Sequence, residues 1–218
     1  IVDLMAHLDN HLANLQTEAS ALWALLSSQR KSVFGREVDR KKFADVAVLQ
    51  RGFDLPVQSR SLGDVPVVAS NGVVGTHDEA KVPGPGVITG RSGTIGKVMF
   101  VEDNFWPLNT TLFIKDFKGN EARFIRRLLE SMDLPAHAGG STVPSLNRNV
   151  LDSVSVYCPS IDIQQAETVV MDAIESLAIA IGSEYQHLAD ARSGLLGALL
   201  SQDTEVPPSY DSLLSEVA

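Results

Sequence analysis

The stretch that decides the fold is VITGRSGTIGKVMFV, residues 87–101. Its apolar, β-branched ends read as two short strands. Between them Gly90, Gly93 and Gly96 leave a loop whose backbone can approach a ligand closely, while Arg91, Ser92, Thr94 and Lys97 supply donors. Such a loop suits an anionic or polar ligand; an ordinary glycine-rich hairpin connection is the alternative reading of the same residues. Two phosphate loops are excluded. A Walker A loop needs four residues between its glycines and Ser or Thr after the lysine, but five separate Gly90 from Gly96 and Val98 follows Lys97. A dinucleotide fingerprint fails as well, because Arg91 stands where its first glycine belongs and no helical pattern follows.

Outward from this loop, Phe43 to Cys158 carries short runs such as VAVLQ, VPVVAS, VVGTH and TTLFI, separated by Gly, Pro, Asn and Asp. That pattern predicts a mixed β-rich domain with irregular loops. One amphipathic helix interrupts it, Ala122 to Met132. Phe124, Ile125, Leu128, Leu129 and Met132 form its apolar side, and Arg123, Arg126 and Arg127 form either a solvated face or a phosphate-facing one. A polar loop follows, AHAGGSTVPSLNRNVL, with Gly139, Gly140, Ser141, Thr142, Asn147 and Arg148, and then a last strand, DSVSVYCP.

The ends are helical. Met5, Leu8, Leu12, Leu15, Ala19, Leu22, Leu26 and Val33 step by alternating threes and fours, a heptad seam broken only at Gln29. A helix over residues 1–35 would be about 50 Å long. Ile163, Val170, Ile174, Leu177, Ile181, Leu188, Ala191, Leu195 and Ala198 repeat the pattern in a second helix over 161–200. Matched seams on either side of a compact region predict an antiparallel coiled coil flanking a domain at 36–160, an α+β architecture. The acidic tail 201–218, with Pro207 and Pro208, reads as flexible.

The chain has 218 residues and a net charge of −9, which by itself argues against nucleic acid. The average hides a division. Arg40 to Ser160 holds fourteen Lys and Arg against twelve Asp and Glu, whereas the ends hold four against fifteen. The middle and the ends therefore serve different purposes. A single cysteine, Cys158, excludes a disulfide framework and fits a reducing cytosol, and no apolar run approaches the roughly 20 residues of a membrane span. The start at Ile1, with no basic region before an apolar one, reads as a fragment without a signal peptide.

Catalytic patterns are missing. His7 and His11, with Asp3, have metal-competent helical spacing but fall on the polar side of the seam, so surface histidines are the better reading. His77 beside Asp78 and Glu79, and the isolated His137 and His187, form no ligand set, and no nucleophile elbow or Cys-His signature is present.

Taken together, LQRGFDLP, PVVASNGVVGTH, VITGRSGTIGKVMFV, FWPLNTTLFI, STVPSLNRNVL and CPSIDIQQAE resemble half of the specificity subunit of a type I restriction-modification system. The opening IVDLMAHLDNHLANL is similar to the helix that follows a preceding recognition domain in that family. The resemblance implies a non-catalytic, cytoplasmic subunit that reads one half-site of a bipartite duplex DNA sequence, with helices as the spacer. One target-recognition domain in place of two implies the second half of such a subunit, or a half-length form pairing with a copy of itself through the helices. It further implies modification subunits using S-adenosylmethionine and an ATP- and Mg-dependent restriction subunit, so that the cofactors belong to partners. On this reading the DNA-contacting residues are Ser70 and Asn71 of the ASNG turn, Arg91, Ser92, Thr94 and Lys97 of the glycine loop, and Ser141, Thr142, Asn147 and Arg148 of the polar loop. Asn and Arg would read base edges while Lys and Arg position phosphates.

Two rivals remain from sequence. A coiled-coil adaptor would present the β-rich domain to a protein, although 6% aromatic residues offer no evident hot spot. A stand-alone methyltransferase is disfavoured, because no Asn-Pro-Pro-Tyr or Asp-Pro-Pro-Tyr box and no glycine-rich cofactor loop is present.

Overall fold

The change of period seen in the sequence, from heptads to short alternating runs and back, is the order of elements in the chain. The computed structural model describes residues 2–139 and 144–201. In chain order the elements are α1 (Val2–Phe34), β1 (Arg40–Lys42), α2 (Phe43–Val46), β2 (Val48–Arg51), β3 (Val65–Ala69), β4 (Gly72–His77), β5 (Gly86–Gly90), β6 (Val98–Val101), β7 (Trp106–Pro107), β8 (Thr111–Asp116), α3 (Ala122–Ser131), β9 (Ala138–Gly139), β10 (Ser145–Leu146), α4 (Arg148–Asp152), β11 (Ser155–Tyr157) and α5 (Ile161–Leu200). Single 3-10 turns lie at Val57–Ser59 and Leu134–His137. Two compact units result. One comprises α1 to Ser28 with α5 from Met171, and the other is Gln29–Val170. Ser141, Thr142 and the acidic tail from residue 202 onward lie outside the described residues.

In the helical unit the seam on α1 is the buried one. Leu15 and Leu26 are buried and Met5, Leu8, Leu12, Ala19 and Leu22 are half-buried, while most positions between them are exposed. The helices run antiparallel: Arg192 donates to Asp9 at 3.0 Å, and His11 stands 4.0 Å from Glu184, so ascending positions on α1 meet descending ones on α5. His7 and His11 are exposed, and the His7 ring meets the Asp3 carbonyl of its own helical turn at 2.8 Å. Among the described residues no group of three or more His, Cys, Asp or Glu is placed to hold a metal, and no helix is long and apolar enough to cross a membrane.

The seam on α5 is offset from the expected line. Ile174, Ile181, Leu188, Leu195 and Ala198 are half-buried as expected. Ile163, Val170 and Leu177, however, are 44%, 50% and 51% exposed, and Gln164, Thr168, Met171 and Ala178 take the inward positions. The cause is polar. The Gln164 amide donates to Asn120 at 2.8 Å and to the Pro159 carbonyl at 2.9 Å, and accepts from the Glu121 amide at 3.0 Å. Thr168 donates to the Gln164 carbonyl at 2.7 Å. A buried face satisfied by hydrogen bonds is stable, and a count of apolar positions does not register it.

The larger unit is built on a four-stranded antiparallel sheet in the order β2-β8-β5-β6 and a second sheet in the order β4-β3-β7, where β3 and β7 run parallel. β1 pairs antiparallel with β11, Arg40 opposite Tyr157, which closes the beginning of the unit onto its end. Val68, Ile88, Phe105 and Phe113 form one core cluster, and Leu55, Val67 and Trp106 another. α3 packs on β5 and β6 and buries Phe124, Ile125, Leu128 and Leu129, each contributing about 1.5–3 kcal/mol by burial. Cys158 is buried beside Asn120 and Gln164, and burial pushes its thiol up from the ordinary range.

The arginines of α3 divide: Arg123 is 41% exposed, as a solvated face expects, whereas Arg127 departs from both expectations. Arg127 is fully buried and donates to Glu130 at 3.1 Å, Arg126 donates to the same carboxylate at 2.8 Å, and Arg30 from the last turns of α1 reaches it at 3.0 Å. Arg123 pairs with Glu102 and lies over the Phe100 ring. These cations tie elements of the domain together, and Arg127 is a core residue that faces neither water nor a phosphate. The polar loop is likewise more ordered than expected, since its described residues form β9, β10 and α4.

Candidate nucleic-acid interface

The glycine loop joins β5 to β6, whose register runs from Gly86 opposite Val101 to Thr89 opposite Val98. The loop then folds back on its own base. A Cβ on Gly90 would lie 1.8 Å from the Thr94 carbonyl oxygen, and Gly93 sits at φ +81, so the path requires glycine at both positions. The amides of Arg91 and Ser92 both donate to the Thr110 carbonyl, at 2.8 and 3.2 Å. Backbone bonds thus fix the root of the loop to the residue preceding β8.

The far side of the loop is held by the polar segment. Leu146 donates its amide to the Arg91 carbonyl at 2.8 Å, Ser92 bridges Ser145, and β10 pairs in turn with β9. This continuous backbone pairing sets Arg91 beside Asn147 and Arg148. Together with the end of β2 they enclose a groove of about 710 Å³. Leu112 and Leu146 are its apolar lining residues, Gln50, His137 and Asn147 its polar ones, and Arg51, Arg91 and Arg148 its charged ones. Among the described residues no carboxylate lines it.

The arginines are steadied by weak bonds to backbone oxygens. Arg91 and Arg51 both donate to the Asn109 carbonyl, at 3.5 and 3.4 Å, and Arg148 donates to the Leu49 carbonyl at 3.4 Å. Bonds this long leave most of each guanidinium's donor capacity unused. Asp54 accepts from the Asn109 side chain and lies 3.7 Å from Arg51; both charges of that pair are more than half exposed, so it neutralises little. Among the described residues Arg91 and Arg148 have no carboxylate partner. Three cations facing one carboxylate-free groove give a site for an anionic ligand.

Of the residues singled out from sequence, Arg91, Asn147 and Arg148 line this groove, and Ser92 is tied to its rim by the Ser145 bridge. Asn147 also caps α4, its side chain accepting the Asn149 amide at 3.0 Å. The remaining residues cluster at the β3–β4 turn. Lys97 donates to the Asn71 carbonyl at 2.6 Å, with both side chains exposed, and Thr94 is exposed on the loop between them. Ser70 is buried at 8%, with its hydroxyl oxygen 3.1 Å from where a Gly93 Cβ would stand; it wedges the loop from within. Sequence reasoning missed Gln50, Arg51 and His137. Arg51 reaches the groove because β2 pairs with β8, Arg51 opposite Leu112, and no local pattern announces that pairing.

The model of one family, the type I restriction modification DNA specificity domain, matches residues 36–186. No curated protein matches the chain in sequence. Among solved structures, it is similar to the type I restriction-modification S subunit from M. genitalium, at 14% identity and TM-score 0.70 over 89% of this chain and 58% of that one. It is also similar to the HsdS subunit from Thermoanaerobacter tengcongensis, at 11% identity and TM-score 0.65 over 90% and 55%. A chain from a structure concerning complex assembly and conformational transition of the type I R-M system matches at 11% identity and TM-score 0.66, over 90% and 56%. The chain thus spans somewhat more than half the length of the solved structures it matches.

Proposed function

The chain belongs to the family of type I restriction modification DNA specificity domains, and from that premise we propose that its β-rich unit reads one half-site of a bipartite duplex DNA target within a restriction-modification complex. The observation that carries this reading is the groove between the glycine loop and β10, where Arg51, Arg91 and Arg148 converge with no carboxylate among the lining residues. Cations steadied on backbone carbonyls are positioned for phosphates, while the neutral side chains between them are available to base edges. Asn71, Thr94 and Lys97, exposed on the adjoining turn and loop, extend the same surface; Ser70 acts by supporting it, and Ser141 and Thr142 belong to the same polar segment.

On this proposal the chain is non-catalytic and works in the cytoplasm. Methyl transfer from S-adenosylmethionine, and ATP- and Mg-dependent cleavage, belong to modification and restriction subunits. The helical unit is where they dock, or where a second copy of the chain pairs. Its apolar surface supports this part: Trp23, Leu25, Leu177 and Ile179 are 44%, 47%, 51% and 57% exposed. The same surface is what a protein adaptor without a DNA role would use, so the two readings are separated at the groove.

Titration of duplex DNA against salt makes that separation. Three phosphate contacts predict a slope of log affinity on log salt of about −2.7. Arg91→Ala should weaken binding and flatten the slope by about 1. Affinity that ignores both salt and this substitution would remove the groove from the interface and favour the adaptor.

A further inference from the structure

We propose that Asp54 and Asn109 are positioning residues of the DNA surface: joined side chain to side chain, they fix the carbonyl on which Arg51 and Arg91 both rest. The inference rests on the reading of the groove as a DNA surface. It assigns a role in that surface to two residues that do not line the groove.

The turn over residues 108–111 is the common support. Its ends close on each other, the Thr111 amide donating to the Leu108 carbonyl at 2.9 Å. The carbonyls of the two central residues serve other partners. That of Thr110 takes the amides of Arg91 and Ser92 at 2.8 and 3.2 Å, which fixes the backbone of the glycine loop. That of Asn109 takes the guanidinium of Arg91 at 3.5 Å and that of Arg51 at 3.4 Å. Two cations from distant segments are thus gathered on one oxygen, and the direction of that carbonyl decides where both are held.

The direction is set from two sides. Reversing the central peptide of the turn would need a positive φ at Thr110, which a β-branched residue resists. The Asn109 side chain, for its part, donates to the Asp54 carboxylate. Asp54 follows a segment tied to the turn, since the Gly52 amide donates to the Thr111 carbonyl at 3.1 Å, the Phe53 amide donates to the Pro107 carbonyl at 2.8 Å, and Phe53 pairs with Leu108. The charge of Asp54 works against the function. A carboxylate near a phosphate surface opposes binding, and its pair with Arg51, at 3.7 Å with side chains 70% and 51% exposed, is screened by water. What Asp54 supplies is an acceptor for Asn109. Arginines held in place before DNA arrives lose less side-chain freedom on binding.

Fluorescence anisotropy with a labelled duplex of mixed sequence tests this for wild type, Asp54→Asn, Asp54→Ala and Asn109→Ala, with both Asp54 substitutions repeated in the Asn109→Ala background. Asp54→Asn and Asp54→Ala lose the same charge, but only the former retains an acceptor for Asn109, so the difference between them isolates the tether. Asp54→Ala should bind about twofold to tenfold more weakly than Asp54→Asn. In the Asn109→Ala background the two should bind alike. Asn109→Ala by itself breaks the tether from the other side, should weaken binding by a similar factor, and provides the readout should Asp54→Ala fold poorly. Equal affinities for Asp54→Ala and Asp54→Asn, or a gap that persists in the Asn109→Ala background, would overturn the positioning role while leaving DNA binding standing. A wild-type chain without salt-dependent affinity for the duplex would overturn both the role and the reading beneath it, and the wild-type arm alone reveals this.

Discussion

Removing the Glu130 carboxylate should loosen the β-rich unit from within. Its oxygens accept from Arg126 at 2.8 Å, Arg30 at 3.0 Å and Arg127 at 3.1 Å, with only 12% of the Glu130 side chain exposed and none of Arg127. Breaking a buried pair costs about 3–5 kcal/mol, chiefly because a desolvated charge loses its counter-charge. Arg30 and Arg126 are partly exposed, at 24% and 18%, so Glu130→Ala belongs at the lower end, about 3 kcal/mol. For a chain of this size that corresponds to a fall in melting temperature of about 6–12 °C. Glu130→Gln, which keeps the shape and loses the charge, should fall between, at about 1.5–3 kcal/mol. The two tryptophans allow the unit to be followed alone: Trp106 is buried in its core and Trp23 lies on the helical pair. In a Trp23→Phe background, urea unfolding monitored by Trp106 fluorescence reports Gln29–Val170 specifically. A Glu130→Ala midpoint within about 0.5 kcal/mol of the parent would show that the three-arginine cluster is a solvated contact and refute the reasoning.

Two further outcomes follow from burial. Met171→Ala should cost about 2–5 kcal/mol in thermal unfolding, since Met171 is 1% exposed, whereas Leu177→Ala, at 51% exposed, should stay within about 0.5 kcal/mol; equal losses would restore the unshifted seam on α5. Cys158 should resist a thiol reagent in the folded protein and react on unfolding. Because burial raises its folded-state pKa, the unfolded thiol ionises first, so this contribution to stability is intact below the ordinary thiol range near 8.5 and is lost as pH rises through it; a Cys158→Ala variant showing the same alkaline loss as wild type would assign that loss to other groups.

Local chemistry made part of this fold legible. β-branched residues on either side of Gly90, Gly93 and Gly96 announce the β5–β6 hairpin, because strand propensity and glycine turns act over a few residues. The α1 seam is legible for the same reason: its buried residues, Leu15, Leu26, Val33 and Phe34, are all apolar. α5 broke that correspondence at Gln164 and Thr168, where hydrogen bonds replace apolar burial. Arg127 broke it in the opposite sense, as a charged residue that reads as surface and is satisfied inside. The groove was not legible at all as a groove. Arg91, Arg148 and Arg51 meet through the Ser92–Ser145 bridge and the β2–β8 register, pairings between distant segments that no local pattern encodes.

Those pairings also separate the frame of the groove from its reading surface. The bonds that fix the glycine loop run from the amides of Arg91 and Ser92 to the Thr110 carbonyl, and from the Leu146 amide to the Arg91 carbonyl. All are backbone to backbone, so they constrain where a side chain starts without constraining which side chain it is, provided that Gly90 and Gly93 keep the loop's path. Arg51, Arg91 and Arg148, which line the groove, hang from this frame. Substitution there changes the donors and acceptors offered to a ligand and leaves the ladder intact. Stability therefore rests on the sheet, the buried α3 face and the loop's backbone bonds, and on the proposed function the choice of ligand would rest on a few polar side chains that the core does not require.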